Sequence, residues 1–245
     1  AGGTLEELEK AIESLIPWLD QTWSDLHRTD PDEAEALATE LRNRAWLPPL
    51  RQSQLPGFIQ PQARLYRAEE LVPAEFLPLV ASQLTALGCR TCSPAFLEVL
   101  AIEAPGPDEV ASHLTTLSRH WSEPRHAGLT SDAISSTCKA IYTYFGRLPT
   151  TQTLPTALKF TPCIWDGSRF WLPSQAFAIP INDLFGDRRG FVPGIDEDRH
   201  GLDRLGRRTR VQPLDIAAFL RELATKGARE LTPVELAQAL RLLDR

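Results

Sequence analysis

The sequence predicts an α+β protein, mostly helical, built from two sequence-related modules that each carry several helices and one small β-hairpin. Three observations predict it. Cys163-Ile164-Trp165-Asp166-Gly167-Ser168-Arg169-Phe170-Trp171-Leu172-Pro173 places an apolar and an aromatic triplet on either side of Asp-Gly, a pair suited to a type I′ turn. Ala45-Trp46-Leu47-Pro48 and Gly57-Phe58-Ile59-Gln60-Pro61 follow the same plan around a longer connection. Capped amphipathic helices surround both stretches in one order, and such self-similarity is the signature of a repeat.

Thr4 and Glu7 make a capping box, and Leu8, Ala11, Ile12, Leu15, Ile16 and Leu19 then share a helix face. Asp30-Pro31-Asp32-Glu33 opens a second helix with Pro31 in its first turn, and Ala34, Leu37, Ala38 and Leu41 line it. The first hairpin follows from Trp46. Residues 73–87 read as a helix stopped by Gly88. Ser93-Pro94 and Gly106-Pro107 open two more, the latter with Val110, Leu114 and Leu117 inward and Glu123-Pro124 at its end. Ala127-Gly128 reads as a linker.

The second module opens at Thr130, with Ile134, Cys138, Ile141 and Phe145 on one face. Leu154 and Leu158 repeat Leu37 and Leu41 at an offset of 117, and Phe170 and Pro173 repeat Phe58 and Pro61 at 112. The Leu-Gly stop at 202–206 repeats 84–88 at 118, and Pro213 repeats Pro94 at 119. A capping box at Thr232-Pro233-Val234-Glu235 opens a last helix that repeats Val110, Leu114 and Leu117 at 126. The modules are therefore expected at 4–125 and 130–245, with Phe58 and Phe170 buried and Trp165 beside Trp171.

No apolar run approaches the roughly 18 residues that span a bilayer, and four irregularly spaced Cys fit a reducing, cytoplasmic setting. The absence of Met, together with Ala1-Gly2-Gly3, is expected of a piece of a longer protein. Net charge is −6, which argues against general nucleic-acid binding. It is unevenly spread: residues 1–40 carry eleven acidic groups, and 199–210 carry Arg199, Arg204, Arg207, Arg208 and Arg210.

The unit resembles the large repeat of sacsin and of sacsin-like bacterial proteins. The resemblance rests on Leu41-x4-Trp46-Leu47-Pro48 and Leu158-x4-Cys163-Ile164-Trp165, on Gly57-Phe58-x2-Pro61 and Arg169-Phe170-x2-Pro173, and on Leu-x2-Leu-Gly at 84–88 and 202–206. It implies a chaperone or scaffold role, in a family where such repeats usually follow an ATPase module. This chain has neither the Asp-x-Gly-x-Gly nor a Gly-rich phosphate loop of that chemistry, so no cofactor is expected.

Cys89-x-x-Cys92 has the spacing of half a zinc site or a redox pair, but Arg207 and Arg210 stand at the matched positions of the second module. His113, His120 and His126 read as solvated surface side chains, the first two being two turns apart on a helix. No Gly-x-Ser-x-Gly elbow occurs, and Asp196-Glu197-Asp198-Arg199-His200 reads as a charged loop. Two partner-binding candidates stand out. One is the arginine set Arg204, Arg207, Arg208 and Arg210, read either as a contact for an acidic partner or phosphate, or as a solvated loop. The other is Trp165 with Trp171, read either as a peptide groove or as core. The expectation is a non-catalytic scaffold or client-binding segment whose partners are proteins. The alternatives are an enzyme fragment with catalytic groups in loops 51–70 and 186–200, and an arginine-dependent nucleic-acid contact.

Overall fold

A computed structural model describes residues 4–50, 62–88, 92–122, 130–195, 197–225, 232–234 and 237. The chain is mostly helical, with short strands in two-stranded sheets. It divides into two compact units, Ala1–His113 with Ala127–Leu129, and Leu114–His126 with Thr130–Arg245. The division falls inside a helix; the expected linker at 127–128 lies outside the described residues.

In the first unit, α1 (Leu5–Thr29) starts at the Thr4–Glu7 capping box, and α2 (Pro31–Asn43) starts at Asp30, whose carboxylate accepts from Glu33 N–H. Ile12 and Ile16 of α1 enter a core with Leu47, Tyr66, Phe96 and Leu100. Leu8 and Leu15, expected on that face, stand 49% and 43% exposed. Leu47 and Tyr66 exchange antiparallel N–H···O bonds of 3.0 and 2.8 Å. The bridge partner of Leu47 is thus Tyr66; the return strand expected at 57–61, Phe58 included, lies outside the described residues.

The helix expected over 73–87 is absent. That stretch holds β1 (Leu71–Val72), a 3-10 turn (Ala74–Phe76), the one-turn α3 (Leu77–Val80) and β2 (Thr85–Ala86), which pairs parallel with β1. Pro73 and Pro78 restrict helix to that single turn. Gly88 is not a helix stop. Its N–H donates to Pro48 O at 2.8 Å, and a Cβ there would lie 3.0 Å from Pro49 O, so it serves a close backbone approach. α4 (Pro94–Val99) follows Ser93, and the Asp20 carboxylate accepts from both Ser93 N–H and Oγ–H at 2.6 Å. α5 (Pro107–Ser122) buries Val110, Leu114 and Leu117 as expected.

In the second unit, α6 (Ser131–Arg147) begins at Thr130 and buries Ile134, Cys138, Ile141 and Phe145. Between Pro149 and Cys163, where a counterpart of α2 is expected, the only helical piece is a 3-10 turn (Thr156–Phe160), in keeping with the breaks at Pro149 and Pro155. β3 (Ile164–Trp165) and β4 (Phe170–Trp171) form the hairpin. β5 (Ala176–Phe177), α7 (Asn182–Phe185), a 3-10 turn (Gly186–Arg188) and β6 (Gly190–Phe191) come next, with β6 parallel to β5. α8 (Arg199–Leu205) takes up residues expected as loop and ends at Gly206, with φ +101°. α9 (Pro213–Thr225) follows. The Thr232–Glu235 capping box and its helix fall largely outside the described residues.

Several backbone pairings of the second unit lie one constant shift from pairings of the first. Leu71 pairs with Thr85 and Ala176 with Gly190, so both partners shift by 105 positions, 71 to 176 and 85 to 190. The shift also takes Leu87 N–H→Val72 O to Val192 N–H→Phe177 O, and Ile102 N–H→Leu97 O to Arg207 N–H→Leu202 O. It takes Ala101, with φ +56°, to Gly206 at the end of the matched helix. Ahead of the hairpin, Leu47 matches Ile164. Trp46 and Cys163 both donate their side chains to the carbonyl five residues back, Leu41 at 2.8 Å and Leu158 at 3.5 Å. Leu47 to Tyr66 spans 19 positions and Ile164 to Trp171 seven, and this difference accounts for the change of register. At this shift Phe170 falls on Leu65 and Gly206 on Ala101, whereas the offset of 118 sets Gly206 on Gly88, which ends no helix; Phe58 and Pro61, on which the offset of 112 rests, lie outside the described residues.

Candidate functional site

The site grows out of the β3–β4 loop. Trp165 pairs with Phe170 and Ile164 with Trp171, so the loop is Asp166–Arg169. Only Gly167 takes positive φ, at +101°, which rules out the expected two-residue type I′ turn. Asp166 holds the loop instead. Its Oδ1 accepts from Ser168 N–H and Oγ–H at 2.8 Å and from Arg169 N–H at 2.9 Å, and its Oδ2 accepts from Trp171 Nε1–H at 2.6 Å. Burial alone raises this carboxyl's pKa, but the hydrogen bonds from Trp171, Arg169 and Ser168 outweigh it and hold it below the ordinary value.

A groove of about 500 Å³ opens here, lined by Asp166, Ser168, Arg169, Trp171, Gly186, Asp187, Arg189 and Phe191. The Arg169 guanidinium lies 3.8 Å over the Trp171 ring and donates to Asp187 O. Arg189 is buried and forks onto Glu222 at 2.6 and 3.0 Å, so its charge is met within the unit. Gly190 permits the ring's position, since a Cβ there would sit 2.4 Å from the indole.

Trp165 and Trp171 do not form one groove. Adjacent pairs of a hairpin point to opposite faces. Trp165 packs at 5.0 Å on both Trp121 and Phe170 and donates to Ser135 Oγ, while Trp171 faces Arg169. Both are buried, and Phe170, expected in the core, is only half-buried.

The arginine set is not a free patch either. Arg204 donates to the carbonyls of Phe145, Leu148, Pro149 and Gln152 and so caps the end of α6. Arg207, with a fully buried side chain, donates to Val192 O and Pro193 O at 2.6 Å and pairs with Asp203. Arg208 lies 3.6 Å from the Asp215 carboxylate while its backbone bridges to β5. Of the four, Arg210 is exposed.

His113 is buried, not solvated: its Nδ1 meets Ser82 Oγ at 2.7 Å, and burial brings its pKa down to about 4. His120 is half-buried and His126 lies outside the described residues, as do Cys89 and Asp196. Cys138 and Cys163 are buried thiols as expected, and burial pushes the Cys163 pKa up to about 12. No cluster able to hold a metal ion occurs among the described residues.

The first unit holds a counterpart of the arginine–tryptophan pair. Arg64 lies 4.1 Å over the Tyr66 ring, and Glu70 accepts from it at 2.6 and 3.1 Å and from Arg67 N–H at 2.9 Å. Its hydrogen bond to Arg64, foremost, brings the Glu70 pKa down to about 2. The sequence signal for both pairs is Arg-x-aromatic at 64–66 and 169–171, which the Gly-Phe-x-x-Pro match obscures.

No protein-family model, curated protein or solved structure matches the chain.

Proposed function

We propose that the chain is a non-catalytic scaffold or partner-binding segment of a larger, sacsin-like chaperone-type protein, made by duplication of one unit. The observation that carries this reading is the single register relating residues 64–102 to 169–207, down to the matched ends of α4 and α8. Duplication copies a framework, and the matched positions keep backbone bonding while their side-chain chemistry diverges. A catalytic centre needs a particular constellation of groups. The most conspicuous charged groups, Arg189, Arg204 and Arg207, are engaged in holding the second unit together. That also favours protein partners over nucleic acid, which needs cations facing outward.

Leu8, Leu15 and Trp18 stand exposed along α1 and offer apolar surface to a partner. The buried thiols Cys138 and Cys163 fit a reducing, cytoplasmic setting. Among the described residues, no helix is long and apolar enough to cross a membrane.

The test is light scattering of a thermally unfolding model client, with and without the chain and with and without ATP, alongside calorimetry with ATP. The reading expects suppression near equimolar ratio, the same in both nucleotide conditions, and no heat of nucleotide binding. Saturable ATP binding, or no effect on the client, overturns it.

A further inference from the structure

The two units use the same pair of side chains differently. In the first, Arg64 lies over Tyr66 and is closed off by Glu70. In the second, Arg169 lies over Trp171, and the position matching Glu70 holds Gln175. The backbone at both positions is alike: Glu70 N–H donates to Arg67 O at 3.1 Å, and Gln175 N–H to Leu172 O at 2.8 Å. The second unit therefore keeps the arginine and its aromatic platform without their carboxylate. Arg169 turns one N–H to the Asp187 carbonyl and stays exposed at the groove.

We propose that this groove binds a carboxylate side chain from an acidic segment of a partner protein, which takes on Arg169 the place that Glu70 takes on Arg64. The proposal deepens the scaffold reading and rests on it. Charge complementarity carries it. Both oxygens of Asp166 already accept hydrogen bonds, and Arg189 is matched by Glu222, which leaves Arg169 and the exposed Asp187 as the open charges of the lining. The Trp171 ring, 3.8 Å beneath the guanidinium, covers one side of it, and a planar guanidinium pairs with a carboxylate through its N–H edge. An exposed ion pair alone is weak. The half-exposed Phe191 beside the groove supplies apolar contact that a peptide uses and a small anion does not.

The test is an NMR titration of the whole chain, reading the Trp171 indole N–H and Arg169 Nε–H signals. The probe is an acetylated, amidated Glu-Leu-Glu-Glu peptide, with its Gln-Leu-Gln-Gln analogue and sodium acetate as the other arms. The wild type is expected to shift saturably with the acidic peptide alone. Arg169→Gln weakens binding about tenfold or more. Gln175→Glu supplies an internal carboxylate and has the same effect, while Glu70→Gln opens a second site read at Arg64. Asp187→Asn strengthens binding. Thermal midpoints confirm that each variant is folded. Absence of a saturable shift, an equal response to the Gln peptide or to acetate, or Gln175→Glu binding like wild type overturns the proposal. Client suppression by the wild type is measured in parallel; if it occurs while the wild type shows no saturable peptide shift, the groove assignment fails and the scaffold reading stands.

Discussion

Gly201→Ala is expected to open the second unit. A Cβ on Gly201 would lie 1.8 Å from Tyr142 O, 2.6 Å from Tyr142 C and 3.0 Å from Tyr142 Cα. All three are backbone atoms inside α6, so no rotamer change relieves the clash. α8 must retreat until the 1.8 Å contact exceeds at least 3.0 Å, the distance that real Cβ contacts respect. The retreat loosens the packing of Leu202 and Leu205 and draws Arg204 from the carbonyls of Phe145 and Leu148. Overpacking alone costs about 1–3 kcal/mol, and hydrogen bonds to a charged group contribute about 1.5–3 kcal/mol. A total near 4 kcal/mol is expected, taking these two ranges together. The assay is hydrogen exchange followed by mass spectrometry across urea concentrations. Amides of α6 and α8 lose protection first, and those of the first unit keep theirs. At the position 105 before Gly201 the first unit carries Phe96, whose ring meets Trp23 at 6.1 Å. An unchanged urea midpoint for α8 would refute this reasoning.

Arg207→Ala leaves the buried Val192 carbonyl without its donor, while Asp203 and Pro193 can turn to water, and is expected to cost about 1–3 kcal/mol. Arg210→Ala, at an exposed side chain, stays within about 0.5 kcal/mol in the same denaturation assay. The His113 pKa lies near 4 in the fold against an ordinary 6.5, so between those values the unfolded chain binds the extra proton. Stability is complete above pH 6.5 and falls as pH drops towards 4, by about 3 kcal/mol in all. His113→Gln is expected to flatten that slope in pH-dependent melts.

Much of the helical framework is legible in the sequence because caps act locally. Thr4 with Glu7, Asp30 with Pro31, Ser93 with Pro94, and Thr130 all start the helices they signal. The face of α6, including Cys138, follows from 3.6-residue spacing. Residues 73–87 mislead because a short apolar run fits a strand as well as a helix, and only the pairing with β1 decides. Spacing is hard to read because the bridged positions Leu47 and Tyr66 lie 19 apart and Ile164 and Trp171 only seven, so one offset cannot serve both sides of the turn.

Site chemistry is less legible. Arg204 and Arg207 read as a charge run because their acceptors are carbonyls, which sequence does not display. His113 is different: it shares a helix face with Val110 and Leu117, and that spacing signals burial. The proposed role of the Arg169 groove depends on Gln175 standing 105 positions after Glu70, a contrast visible only at the shift that the strand pairs display.

The central claim is that the chain holds one plan twice. A crystal structure of the chain, with 64–88 and 92–102 superposed on 169–193 and 197–207, tests it most directly. The account predicts that Leu71–Thr85 falls on Ala176–Gly190, Arg64 on Arg169 and Ala101 on Gly206 in that one alignment. Parallel pairs in different registers, or helix ends that match only after α4 is slid along α8, would contradict it.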